Sequence, residues 1–182
     1  MACAVTLTGI GYSCEANLSG VKAVYIADSN DVSTYTVSNN NITAITMASG
    51  KKFYEYAFNK NTAGLTSTMT KDETNGYKYY TNELTGNINH LDTTKHIEID
   101  ELMSGRLNAI VLDKNGNYWF LGQDDYATGT AMVAQTGAAP EDGNYYNLTI
   151  TDESKKLPYS IDSSIISGIV SQASYANSSL HG

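Results

Sequence analysis

The sequence predicts a mainly β domain, an antiparallel β-sandwich or barrel with one flanking α-helix and a long hairpin. Three observations carry the prediction. The chain has fourteen Tyr and long stretches of Thr, Val and Ile, which fit a pleated, half-buried surface. Those stretches are broken at short intervals by Asn, Asp, Ser and Gly, the residues that turns require, with only two Pro in the whole chain. A helical spacing of apolar residues occurs inside the chain at one place, residues 93–104.

Residues 21–27 partly alternate, Asp28-Ser29-Asn30-Asp31 supplies turn residues, and 32–37 resumes a β-branched run, which reads as a hairpin. Ser38-Asn39-Asn40-Asn41 leads to a strand at 42–47, and Ser49-Gly50 to another at 51–59, so the first third reads as a meander. Within 51–59 the residues Tyr54, Tyr56 and Phe58 share one parity and form an aromatic row on one face. Residues 65–71 and 77–84 flank a turn ending in Asn75-Gly76, a hairpin expected to be long and protruding. In 93–104, Thr93 or Thr94 is the expected N-cap. Ile99, Leu102, Met103 and Arg106 follow helical spacing, and Gly105 is the stop. Because Ile97 and Ile99 alternate with His96, Glu98 and Asp100, a strand leading into a shorter helix is the other reading.

Residues 107–112 and 117–122 enclose Asp113-Lys114-Asn115-Gly116, a hairpin signature whose Asn-Gly suits a type I′ turn, and Trp119 is expected to anchor it on the core. Residues 123–143 are small, acidic and Gly-containing, so they read as loop with at most a short strand at 131–134. A strand at 145–151 is followed by a separator, Asp152 to Lys156, and by 157–161, where Pro158 suggests an edge position. Ile165, Ile166, Ile169 and Val170 share helical spacing, giving a short amphipathic helix or an arm that docks on a neighbour. Residues 175–182 read as a frayed tail. The organisation expected is a single β domain over residues 1–160 with a C-terminal arm or tail over 161–182. A chain of 182 residues buries roughly 70% of its unfolded surface and needs no staple to fold.

Charge and composition narrow the function. The net charge is −8 and Lys plus Arg number 11, too few to build the cationic face that phosphate contacts require. No apolar run approaches the ~18 residues of a membrane span, and no basic segment precedes an apolar core at the start, so a soluble, unprocessed chain is expected. Cys3 and Cys14 sit among residues that read as strand, turn and strand and read as two small buried or half-buried thiols, and His90, His96 and His181 do not repeat a metal spacing with them. Asp113-x-Asn115-Gly116 resembles part of a calcium loop but lacks the later acidic ligands. The Asn-x-Ser/Thr triplets at Asn17, Asn41, Asn147 and Asn177 carry no weight in so Asn- and Thr-rich a chain.

No nucleophile elbow, phosphate loop, dinucleotide fingerprint or His-Glu-x-x-His motif is present. No catalytic, cofactor-binding or metal-binding residue is therefore assigned, and no cofactor is expected. Asp124 and Asp125, with Glu141 and Asp142, are the carboxylates that a glycoside hydrolase would use, and His90 and His96 bracket the helix start.

The order of features resembles structural proteins of tailed bacteriophages, the crAss-like phages of Bacteroides-type gut bacteria among them. The residues that carry it are Cys14, then Gly20-Val21-Lys22-Ala23-Val24-Tyr25-Ile26-Ala27, and the helix-like stretch around Glu98 to Leu102. They continue with Leu107-Asn108-Ala109-Ile110-Val111-Leu112-Asp113-Lys114-Asn115-Gly116-Asn117-Tyr118-Trp119-Phe120-Leu121-Gly122, then Thr136-Gly137 and Asp142-Gly143-Asn144-Tyr145. The likeness covers most of residues 3–160 and carries over no binding residue. It implies a non-enzymatic neck-ring or tail-tube subunit of the virion, made in the bacterial host cytoplasm. Its partners would be copies of itself in a closed hexameric or dodecameric ring and the ring proteins above and below. DNA would pass through without specific binding, and no membrane is involved. It makes residues 65–84 a candidate ring-to-ring contact and the segment from Ser163 a candidate arm. The alternative from another class is an extracellular carbohydrate-binding or adhesive β-sandwich that stacks sugars on Tyr54, Tyr56 and Phe58 or on Trp119. A hydrolase built on Asp124 and Asp142 is the third.

Overall fold

The computed structural model describes residues 7–173. The regular elements are β1 (Val21–Asp28), β2 (Val32–Ser38), β3 (Asn41–Met47), β4 (Phe53–Tyr56), β5 (Gly64–Asp72), β6 (Tyr77–Asn89) and α1 (Thr93–Ser104). They continue with β7 (Leu107–Asp113), β8 (Tyr118–Leu121), β9 (Thr128–Gln135), β10 (Tyr145–Ser154), β11 (Tyr159–Ile161), α2 (Ser163–Ile169) and β12 (Val170–Ser171). The fold is the mainly β sandwich with a flanking helix and a long hairpin that the sequence predicts.

An eight-stranded sheet runs β12-β4-β1-β7-β8-β11-β3-β2 and a four-stranded sheet runs β5-β6-β10-β9. The centre of the larger sheet is β1 paired antiparallel with β7. Residues 107–112 are buried throughout, so β7 has no solvent face. That is why it reads as an apolar run, broken only by Asn108, and not as an alternation. Its two faces feed two cores. On one side Ala109 and Val111 meet Val24 and Ile26 of β1, Leu84 and Ile88 of β6, Tyr146, Leu148 and Ile150 of β10, and Ile99 and Leu102 of α1. On the other, Ile110 meets Tyr25, Ile42, Phe53, Phe120, Ile161 and the helix residues Ile166 and Ile169.

The second core requires the large sheet to curl. In a flat sheet β11 and β12 stand five strand spacings apart, about 24 Å. The seven-residue α2 that joins them spans only about 10 Å. The sheet therefore folds its ends toward each other, and α2 fills the concave side. Residues 161–171, expected at the start of an arm, thus belong to the domain's own core, and β12 pairs parallel with β4. The frayed tail expected at 175–182 lies outside the described residues.

Several local expectations change for identifiable reasons. β1 and β2 are not a hairpin: four strands of the sheet separate them. Residues Ser29–Asp31 form one turn of 3₁₀ helix capped by Asp28, whose carboxylate accepts from Asn30 N–H at 2.8 Å. The Ser29 N–H reaches the Arg106 carbonyl, turning the chain away from β1. The meander reduces to the β2–β3 hairpin, where Asn39 and Asn40 both have positive φ, the requirement of a type I′ turn. The Asp113 turn differs from the expected type I′. Gly116 N–H bonds the Asp113 carbonyl, and within that turn only Gly116 has positive φ. The cap of α1 is Asp92, one residue before the expected threonines, accepting from Lys95 N–H at 2.9 Å. Arg106 lies beyond the helix, stacked over Tyr126.

Strand β9 is eight residues long because it pairs along β10, although its own residues are weak strand formers. The separator expected at Asp152 to Lys156 starts too early: β10 runs to Ser154, and Asp152 and Ser154 point inward on the same parity as Leu148 and Ile150. β11 is interior, flanked by β8 and β3, since Pro158 precedes the three residues that pair. The β5–β6 hairpin extends three residue pairs past the last β10 pair at Ser154 and Tyr80, about 10 Å.

In the β7–β8 hairpin Trp119 is half-buried and packs against the first core, as expected, and Phe120, fully buried and 5.3 Å from the Tyr35 ring, anchors the opposite face in the second. Phe120→Ala is expected to lower unfolding free energy by about 3–5 kcal/mol, and Trp119→Ala by less than half of that. Urea unfolding of the two variants measures this. Equal losses would make the two rings equal anchors.

Candidate functional site

The most unusual surface lies at the start of the described chain. Residues 7–19 are exposed and carry no regular structure, and residues 7–16 form no ladder with any strand. Leu7, Ile10 and Tyr12 are 87%, 103% and 95% exposed, and from Leu7 to Gly20 only Glu15 is charged. The expected strand-turn-strand around the cysteines is absent here, and Cys14 is exposed. Cys3 lies outside the described residues.

This segment has a firm base, built by the Asp113 turn. The Asp113 carboxylate accepts from Asn115 and Asn117 N–H at 2.9 and 2.8 Å, and from Trp119 Nε1 at 3.1 Å. Partial burial opposes its charge, but the hydrogen bonds from Asn117, Trp119 and Asn115 outweigh burial and hold the carboxyl below its ordinary range. Asn115, so oriented, accepts from Leu18 N–H at 2.9 Å and donates to Asn17 Oδ1 at 2.8 Å. Lys114 N–H bonds the Gly20 carbonyl, and its ammonium reaches Asn61 Oδ1 at 2.6 Å. The residues that resemble a calcium loop fragment thus spend their oxygens on backbone and side-chain donors and clamp residues 17–20.

The other expected site residues are dispersed. Tyr54 is exposed, but Tyr56 donates to Glu98 at 2.6 Å, and burial, then Glu98, push its hydroxyl up. Phe58 packs against Gly86, where a Cβ would come within 2.4 Å of its ring. The row therefore offers one free ring instead of a platform. Trp119 lines a shallow cavity of about 530 Å³ with Leu18, Val21, Leu65, Leu157 and Pro158. Asp124 accepts from Lys155 N–H, just after β10 ends, whereas Asp142 accepts from Ala138 and Ala139 N–H, just before β10 begins. A ten-residue strand separates them, about 30 Å, against the ~10 Å or less that glycoside hydrolysis needs. His96 packs edge-on against buried Tyr146, whose hydroxyl bonds to its Nδ1 and donates to the Asp92 carbonyl. His90 sits in the turn before α1 with positive φ, its N–H on the Asn144 carbonyl. His181 lies outside the described residues. Among the described residues no three His, Cys, Asp or Glu side chains are grouped to hold a metal ion. No helix there is long and apolar enough to cross a membrane.

Sequence reading missed two features. One is a buried polar cluster in the small sheet: Asn82 Nδ2 donates to Asp152 Oδ2 at 2.9 Å and to Ser154 Oγ at 2.8 Å. The signal was present, since the alternation of Tyr146, Leu148 and Ile150 continues through Asp152 and Ser154. The other is the free edge of β9, where residues 130–134 are all exposed and Thr128–Gln135 contains no charge.

No protein-family model, curated protein or solved structure matches the chain.

Burial pushes the Asp152 carboxyl up against the hydrogen bonds from Asn82 and Gly122, and Asp124 and Asp125 add repulsion. Its Oδ1 and Asn82 Oδ1 are buried acceptors without partners, and a proton on Asp152 turns one of them into a donor. The folded protein holds this proton more tightly than the unfolded chain. Stability is therefore lost as pH rises from about 4, where unfolded Asp ionises, until the folded group ionises too. Asp152→Asn does not titrate, so its Tm minus that of the wild type should grow more positive over that rise. Parallel Tm profiles would show that Asp152 titrates alike in both states.

Proposed function

We propose that the protein is a non-enzymatic structural subunit that assembles with copies of itself into a ring or tube segment of a bacteriophage neck or tail. The observation that carries this reading is the anchored segment with Leu7, Ile10 and Tyr12 in water and Glu15 as its one charge. A domain that already fills two cores gains nothing from such a segment alone, and contiguous exposed apolar surface of this kind marks an interaction site. A segment of this kind that docks on a different surface of the next copy makes a head-to-tail contact, and head-to-tail contacts close into rings or stack into tubes. The resemblance in order of features over most of residues 3–160 to tailed-phage structural proteins favours the virion setting. The net charge of −8 suits a channel through which DNA phosphates pass without adsorbing.

A carbohydrate-binding module is the second reading, favoured by the half-exposed Trp119 face in its shallow cavity. Static light scattering behind a sizing column, over a concentration series with negative-stain images, separates the two. The ring reading expects masses that are multiples of 19.6 kDa and annular particles. A monomer at every concentration, with glycan binding that Trp119→Ala abolishes, would replace it with the second reading.

A further inference from the structure

We propose that residues 10–16 of one copy add as an edge strand to β9 of the next copy, a contact that rests on the assembly reading above. The donor is a segment outside every sheet whose residue pattern suits a strand. Ile10, Tyr12, Cys14 and Ala16 share one parity and Gly11, Ser13 and Glu15 the other, the alternation of a strand with one apolar face. Fully extended, the ten residues 7–16 span about 33 Å beyond the clamp at Asn115, far enough to reach a neighbouring subunit.

The acceptor is a sheet edge without protection. Natural edges are blunted by charge, proline, bulges or shortness. Among the described edges, β12 is two residues long. β2 is broken by two register shifts, and β5 ends in Lys71 and Asp72. β9 has none of these devices over residues 131–135, where its pairing with β10 is regular after a single shift. Ala131, Met132, Val133 and Ala134 are all exposed there. A strand carrying backbone donors and acceptors completes such an edge by main-chain pairing.

The side chains specify which face the arm's apolar residues take. Met132 and Ala134 stand opposite Leu148 and Tyr146, on the face covered by α1. With Ile97 and Asp100 of the helix they line a groove of about 310 Å³, in which Ile97 is 60% and Met132 45% exposed. An added strand lays Ile10 and Tyr12 over this groove and turns Gly11, Ser13 and Glu15 outward. One donor and one acceptor per copy make the contact heterologous, which is what ring closure needs.

The native Cys14 reports the geometry. In a Cys3→Ser background, Met132→Cys and Ala134→Cys are expected to give a disulfide-linked ladder of oligomers on oxidation, lost when Cys14→Ser is added. Val133→Cys, on the opposite face, should give at most a tenth of that yield. Thr36→Cys on β2 and Thr66→Cys on β5 serve as rival edges. Ile10→Asp with Tyr12→Asp, at sites that contact nothing in the monomer, should leave Tm unchanged and remove the oligomer peak. Assembly that persists in the double variant, or cross-links at β2 or β5 and not at β9, would overturn the proposed contact and leave the assembly reading standing. A monomer in every variant and in the wild type would overturn both.

Discussion

One strand without a solvent face sets the terms for everything around it. β7 must be covered on both sides, because each residue from 107 to 112 is buried. A sheet face of this kind is stable only under another layer. On one side that layer is the small sheet with α1; on the other it is α2, which the large sheet curls to enclose. The polar residue within this run confirms how tight the environment is. Asn108 donates to the Gly122 carbonyl at 2.9 Å, and Gly122 has φ +87 with no room for a Cβ, which would come within 2.3 Å of the Asn108 amide. Gly122 thus serves both the left-handed turn and the close approach of two strands.

Satisfying the centre leaves the periphery unfinished. The small sheet puts its buried strands, β6 and β10, in the middle and ends on β5 and β9. The Asp113 turn closes the β7–β8 hairpin and, through Asn115 and Lys114, fixes where residues 17–20 leave the domain. The same turn that completes the core therefore aims the apolar segment outward. An unpaired segment and an unpaired edge on one molecule are each a liability in a monomer and complementary in an assembly.

Much of the fold was legible because short-range chemistry decides it. Asn75-Gly76 and Asn115-Gly116 mark real hairpins, and the apolar spacing of Ile99 and Leu102 marks the buried face of α1. What failed was long-range. Nothing local tells β1 to pair with β4 and β7 instead of β2. β9 owes its existence to β10, and α2 docks inside its own domain because the sheet curls. The aromatic row shows the same limit for the site. Parity separated Phe53 from Tyr54 and Tyr56 correctly, but in a sheet covered on both faces parity does not separate core from solvent: Phe53 fills one core, and Tyr56 and Phe58 pack against the other. Residues 7–16 show the limit again, since residue types that suit strand and turn around Cys14 do not tell a paired strand from an unpaired segment.

Hydrogen–deuterium exchange on the assembled protein and on the same protein diluted until dissociated tests the account most directly, since it reads the centre and the periphery together. Amides of β1 and β7 should be the slowest in both states, exchanging only through global unfolding. Amides of residues 10–16 and 131–135 should exchange fast when dilute and become protected together on assembly. Fast exchange in β7, or an arm that stays unprotected in the assembled particle, would contradict it.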